Sequence, residues 1–266
     1  MVKDKLHKSA ELLIDAQNRC DRISLLPSSL RPVDLIEGYR IQDIVTAGSD
    51  IVGWKIAATS RAGQIHIGID HPIAGQLTSS CILHSGDTAV MTENLMLAAE
   101  AEFVFEFSAD LPARDARYEI DEVMSCVGHL RIGIELPDSR YHLFAKAGAP
   151  QLVADNACAS QFVLGVRIDC DWRKDDLGSK KTSLYVDGGL ATEGYGSDAL
   201  GDPRAALTWL VNHVSERRID LLSGQFVTTG VCGDPTPIGS ASHVRVAIEG
   251  YGEVEVNLLN EGMGVS

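Results

Sequence analysis

Basic residues are scarce in this chain: 23 Lys and Arg stand against 37 Asp and Glu, for a formal net charge of −14. A nucleic-acid surface needs a basic patch or stripe, and here bases cluster only in short groups such as Arg217-Arg218 and Lys180-Lys181. That argues against a nucleic-acid partner and reads the acidity as serving solubility. No stretch approaches the ~18 consecutive apolar residues of a spanning helix, so no membrane role is expected. The opening MVKDKLHKSAELLIDAQ is charged and lacks the apolar core of a secretory signal. Six cysteines (Cys20, Cys81, Cys126, Cys158, Cys170 and Cys232) show no C-x-x-C and no histidine at zinc spacing. The expectation is reduced, mostly buried thiols in a cytoplasmic protein. The eight histidines form no H-x-x-x-H, H-E-x-x-H or H-x-H pattern, and His66, His71 and His84 are read as surface or supporting residues. No G-x-S-x-G suggests a serine hydrolase, and the glycine-rich DGGLATEGYGSD lacks the helix start of a nucleotide site.

Apolar residues make up 45% of the 266, enough for a real core in one large domain. Leu6, Ala10, Leu13 and Ile14 recur at helical spacing, and Leu35, Ile36, Tyr39, Ile41 and Ile44 do so again after LLPSSLRP. Pro32 suits the first turn of that second helix, with Ser28 or Ser29 ahead of it. Residues 1–48 therefore read as a helical lead-in and 49–266 as one continuous β-rich region. Strand-like segments follow one another there: IVGWKIAAT, AVMT, AEAEFVFEF, RIGIELP, SQFVLGVRI, SLYVDG, QFVTTGV, HVRVAIEG and GEVEVNLL. Two helices are expected among them, RYEIDEVMSCVGHL and DPRAALTWLVNHVSE, the latter capped by Asp202 with Pro203 in its first turn. Many strands without regular β–α alternation point to an α+β fold with a curled or barrel-like sheet.

The chemistry-bearing stretch is AEAEFVFEF. Residues i and i+2 of a strand share a face, so Glu100 and Glu102 converge. Such a pair is tolerated in water, by protonation, or by a bound cation. Taken alone, E-x-E is as compatible with solvated carboxylates as with a site. Glu135, at the end of RIGIEL, would complete a hard oxygen site suited to Mg²⁺ or Mn²⁺, with open positions for a chelating substrate and water. Lys55 in GWKIAATS is either an edge lysine reaching water or a buried functional amine. Asp155 and Asn156 in ADNACAS suit a turn, and Thr229 in GQFVTTG closes a strand.

In this order, GWKIAATS, GIDHPIAGQL, AAEAEFVFEF, GIELPDSR, ADNACAS, LGDPRAALTWLVN and GQFVTTG resemble the 2-keto-4-pentenoate hydratases and 4-oxalocrotonate decarboxylases of the fumarylacetoacetate hydrolase superfamily. The resemblance runs from about residue 10 to 260. It implies the superfamily's mixed β-roll with a helical N-terminal part. It implies Glu100, Glu102 and Glu135 as ligands of Mg²⁺ or Mn²⁺, and Lys55 as the catalytic lysine. It further implies a substrate pocket involving Ile73, Gln76, Leu77, Asp155, Asn156 and Thr229, and a homo-oligomer acting on a small 2-oxo acid. The activity it implies is addition of water to a 2-hydroxy-alka-2,4-dienoate, through its 2-oxo-3-enoate tautomer, to give a 4-hydroxy-2-oxo acid in aromatic meta-cleavage catabolism. Lys55 would serve as acid/base or bind the substrate carboxylate; the sequence leaves both open. One departure stands out: GQLTSSC carries Ser79 and Ser80 where many family hydratases have an acidic pair. That keeps decarboxylation of a 4-oxalocrotonate-type dicarboxylate as the alternative. An acylpyruvate-type C–C hydrolase is less favoured for want of a His–acid pair, and a catalytically idle scaffold would not need three glutamates and a lysine. Arg140 is either an anchor for a second carboxylate or the partner of Asp138.

Overall fold

Apolar spacing and caps set the first helices. The structure, a computed structural model, describes residues 2–260. Met1 and the last six residues of the expected β-rich region, 261–266, lie outside the described residues. Helix α1 (Val2–Asn18) buries Leu6, Ala10, Leu13 and Ala16. Helix α2 (Leu35–Val45) starts later than the proline suggested: Asp34 is its N-cap and accepts a hydrogen bond from the Glu37 amide. Tyr39 and Gln42 of α2 are buried and reach into the sheet region. The Tyr39 hydroxyl accepts from the Ala74 amide at 3.0 Å, and Gln42 donates to the Ala74 and Val153 carbonyls. Leu6, Leu13, Leu26, Tyr39 and Ile41 belong to the same apolar cluster as the strands.

Thirteen strands follow among the described residues: β1 (Ile51–Ala57), β2 (Ile73–Thr78), β3 (Ile82–His84), β4 (Thr88–Val90), β5 (Ala98–Phe107), β6 (Val127–Leu136), β7 (Gln161–Arg167), β8 (Lys181–Val186), β9 (Gly189–Tyr195), β10 (Phe226–Thr228), β11 (Thr236–Pro237), β12 (His243–Ile248) and β13 (Gly252–Leu259). A mixed eight-stranded sheet runs β2-β1-β10-β5-β6-β7-β3, with β11 added on β5. A five-stranded sheet runs β4-β13-β12-β8-β9. Val244, Val246, Val254 and Val256 of the second sheet share the core with Phe103, Phe105, Ile132 and Ile134 of the first. This is the α+β mixed β-roll. Short helices interrupt it: α3 (Arg61–Ile67), α4 (Ile120–Cys126), α5 (Phe144–Ala147), α6 (Ala149–Ala154) and the longer α7 (Pro203–Glu216).

Two local expectations change. RYEIDEVMSCVGHL is helical only over α4; β6 takes over at Val127, where pairing with Phe107 outweighs helical spacing. The thiols are all free, but only Cys232 is fully buried, and Cys20 and Cys170 are exposed. No helix among the described residues is long and apolar enough to cross a membrane.

Helix α7 begins as expected, with Asp202 accepting from the Arg204 amide. Its His213 stacks on Trp209 at 5.0 Å and meets Tyr39 at 4.8 Å. Burial first, then Arg217 and His71, push its imidazole down from 6.5 to about 4. A depressed folded value means the neutral ring is the stable one: its stability is full above pH 6.5 and is lost as pH falls toward 4. The expected cost by pH 4 is on the order of 2–3 kcal/mol, or a melting point lower by roughly 5–10 °C. Melting curves from pH 7 to pH 4 should show His213→Phe losing less than the parent; equal losses would remove His213 from the account.

Candidate metal centre

Sheet register decides which side chains meet. Directly opposed residues of neighbouring strands share a face. Glu100 of β5 pairs with Glu135 of β6, and Glu102 with Gly133. Val104, on the same face as Glu102, pairs with Thr228 of β10. Thr228 pairs with Lys55 of β1, and Lys55 with Gly75 of β2. One face therefore carries Glu100, Glu102, Glu135 and Lys55, while Ala101, Phe103, Phe105 and Ile134 point to the main core. Gly133, opposite Glu102, has no room for a side chain: a Cβ there would overlap the Phe162 ring and come within 2.9 Å of Val104 Cγ2.

Carboxylate oxygens of Glu100, Glu102 and Glu135 lie within 4.8 Å of one another. Glu102 and Glu135 are buried, at 0% and 1% exposure. Lys55 is the basic side chain that meets them. Its Nζ lies 2.9 Å from Glu135 Oε1 and donates to the Ala157 carbonyl at 3.1 Å. The Gly230 amide donates to Glu102 Oε2 at 2.9 Å, and Lys55 takes Glu135 Oε1, leaving Glu102 Oε1 and Glu135 Oε2 without a hydrogen-bond donor. Burial, then Glu135 and Lys55 with opposite signs, leave Glu100 pushed up to about 7. Burial, then Glu135 and Glu100, push Glu102 well above the usual carboxylate range. Burial opposes the charge of Lys55, but Glu135 and then Glu100 outweigh it and raise its value. Further along the same face, Glu106 is matched by Arg131 and Arg167, each at 2.6 Å. The upper cluster has three acids and one amine, so it fits a hard divalent cation: buried, unpartnered oxygens converge with charge to spare.

The cluster opens on a cavity of about 530 Å³ whose lining includes Lys55, Glu100, Ile73, Ala157 and Cys158. Burial pushes the Cys158 thiol up to about 12, so it is inert as a nucleophile. Other expected site residues sit behind this wall. Asn156 is a strand mimic: its amide accepts from the Gln76 amide at 2.7 Å and donates to the Gln76 carbonyl at 2.8 Å. Gln76 itself bonds Thr46 and Asp43. Asp155 is fully buried and accepts from Ser139 and from Arg140, by backbone and guanidinium. Arg140's partner is thus Asp155, while Asp138 is taken by Arg22. Leu77 packs with Val104, Phe162 and Phe226, and Thr229 bonds the Phe103 carbonyl. Gln76, Asn156, Arg140 and Ser80 line a second cavity of about 380 Å³. Ser79 follows directly on β2, beside Ser80, and neither lines the metal cavity.

The structure brings further residues to the cavity. Thr59 is 4% exposed, lines the metal cavity and has an unpartnered hydroxyl. His66 of α3 lies 5.9 Å from Phe144 of α5 at the same cavity. Asn156, Ala157 and Cys158 all adopt left-handed φ, at 54°, 51° and 62°. For Ala and Cys that costs about 1–2 kcal/mol each, and the turn it makes aims the Ala157 carbonyl at Lys55. Gly75 permits the docking: a Cβ there would overlap the Asn156 carbonyl oxygen and approach Lys55 Cγ to 3.1 Å. Gly75→Ala is expected to lower kcat about 10- to 100-fold while metal titrations match the parent, since displacement by ~1 Å suffices for such losses. Unchanged kcat would show that the turn does not place the amine.

No family model matches the chain. A curated 2-keto-4-pentenoate hydratase of Burkholderia vietnamiensis is 30% identical over 250 residues, covering 92% of this chain and 94% of that protein. A 4-oxalocrotonate decarboxylase of a Pseudomonas species is 26% identical over 264 residues, 97% and 98% of the two chains. The structure of a 4-oxalocrotonate decarboxylase from Pseudomonas putida, complexed with magnesium and adipate, superposes with a TM-score of 0.88 at 23% identity, over 97% of this chain and 99% of that one. With a relative 30% identical over 92% of this chain, the chain belongs to the 2-keto-4-pentenoate hydratase and 4-oxalocrotonate decarboxylase family.

Proposed function

We propose that this protein is a metal-dependent hydro-lyase that adds water to a 2-hydroxy-alka-2,4-dienoate and releases a 4-hydroxy-2-oxo acid. The observation that carries the reading is the set of three converging carboxylates beside one buried lysine, in a chain whose relatives include several hydratases. Glu100, Glu102 and Glu135 would hold Mg²⁺ or Mn²⁺, which when bound supplies Lewis-acid polarisation to a 2-oxo acid. Lys55, oriented by Glu135 and the Ala157 carbonyl, keeps a proton on Nζ at the cavity wall. It is the group that passes a proton to and from the substrate as the dienol becomes the enone and water adds at C4. The Gly230 amide steadies Glu102, and the left-handed turn at 156–158 closes the wall behind the lysine. Ile73 contributes to the substrate cavity directly; Gln76, Asp155, Asn156 and Thr229 support its walls through the bonds described above, and Leu77 through apolar packing.

A cytoplasmic location and a homo-oligomer belong to the same reading. Six free thiols suit a reducing compartment. Exposed apolar side chains such as Val33 and Ile36 suit subunit contacts, which light scattering would size.

Decarboxylase relatives keep one rival open. Incubation with 2-hydroxypenta-2,4-dienoate or 4-oxalocrotonate, with Mg²⁺, separates the two. Loss of dienoate absorbance with a 4-hydroxy-2-oxo product is expected; CO₂ release from the dicarboxylate without hydration would replace this reading by decarboxylation.

A further inference from the structure

The metal cavity is large, and Lys55 is the lysine on its wall. Its volume of about 530 Å³ takes roughly 18 water-sized units of ~30 Å³, against the eight or so non-hydrogen atoms of a five-carbon dienoate. Past Lys55 and Glu100, the apolar part of the wall is made by Ile67, Met96, Phe144, Leu152 and Val231, all buried or half-buried, with the polar Thr59, Ser60 and His66 beside them. No arginine lines it, and Lys55 is already committed to Glu135. The further acid on the wall, Asp234, is exposed and adds negative charge. Arg140, the one sequence candidate for holding a second carboxylate, faces the other cavity and is paired with Asp155.

Resting on the hydratase reading above, we propose that this site selects 2-oxo and 2-hydroxydienoic monoacids with an uncharged tail extending beyond C5, and rejects dicarboxylates. Three carboxylates, one ammonium and a dication sum to zero, so the substrate's own carboxylate is the one extra charge to be held. A second would be stripped of water against Met96, Phe144 and Val231, with Asp234 nearby and no arginine or unpaired lysine to receive it. An alkyl or aryl tail meets the opposite condition, since each methylene moved from water to such a wall favours binding.

The test is calorimetric binding to the Mg²⁺-loaded protein, with pyruvate, 2-oxobutanoate, 2-oxohexanoate, 2-oxooctanoate and 2-oxoadipate as probes. Affinity is expected to rise about 3- to 4-fold per added methylene from 2-oxobutanoate to 2-oxohexanoate. 2-Oxoadipate is expected to bind at least ~10-fold more weakly than 2-oxohexanoate, and Met96→Arg to narrow or reverse that gap. Equal or tighter binding of 2-oxoadipate by the parent protein would overturn the proposal, as would affinity that does not change with chain length. Failure of every probe, pyruvate included, would instead overturn the metal–oxo-acid reading beneath it.

Discussion

Glu102→Gln is expected to abolish turnover, by at least ~10³-fold, and to weaken Mg²⁺ or Mn²⁺ binding by more than the 10- to 100-fold typical of losing a mere supporting contact. The side chain is fully buried, one oxygen is held by the Gly230 amide and the other has no protein donor. A neutral amide would keep the shape and the Gly230 contact while removing the charge. The opposite effect is expected on the metal-free protein. Carboxylates within 4.8 Å repel by roughly 3 kcal/mol per ionised pair at an effective dielectric of about 20, so the variant should melt no lower than its parent. Parent protein should gain roughly 5–10 °C on saturation with metal, the size expected for ~2.7 kcal/mol at a hundredfold excess over Kd, and Glu102→Gln should gain little. Two outcomes count against the mechanism: activity that survives a chelator, or a variant that binds metal as tightly as the parent.

Lys55→Met should separate chemistry from metal binding. The ammonium is buried at 3% exposure and paired with Glu135. Its removal strands a buried carboxylate, a loss of about 3–5 kcal/mol, and the metal-free variant should melt roughly 10 °C lower. Metal affinity should hold or rise, because the cluster becomes more negative, and bound metal should recover most of the lost melting temperature. Turnover should still fall about 10²- to 10⁴-fold, the range ascribed to a positioned proton donor. A variant that folds, binds metal and retains turnover would return Lys55 to a structural role. One that stays unfolded even with metal would do the same.

Much of this site was legible before any coordinates. Glu100 and Glu102 share a face because strand geometry has a period of two, and that holds in any strand. Asp202 and Pro203 announced α7 for equally local reasons. Strand AEAEFVFEF and its neighbours were visible from composition and alternation, and the order of motifs carried the family. The errors were local contests decided at a distance. VGHL reads as the end of a helix until β5 is there to pair with it. Asp138 looks like the neighbour of Arg140 until Asp155 is brought in from an adjoining turn.

Composition and strand periodicity alone established an acidic α+β protein with two glutamates aimed the same way. They could not place Glu135 across from Glu100, because register is a property of two strands and not of either one. Nor could they show that the Asn156 side chain pairs with the Gln76 backbone, or that Phe144, Met96 and Val231 share one wall. Those facts depend on segments far apart in the chain being packed together, and only the folded sheet fixes which of them touch.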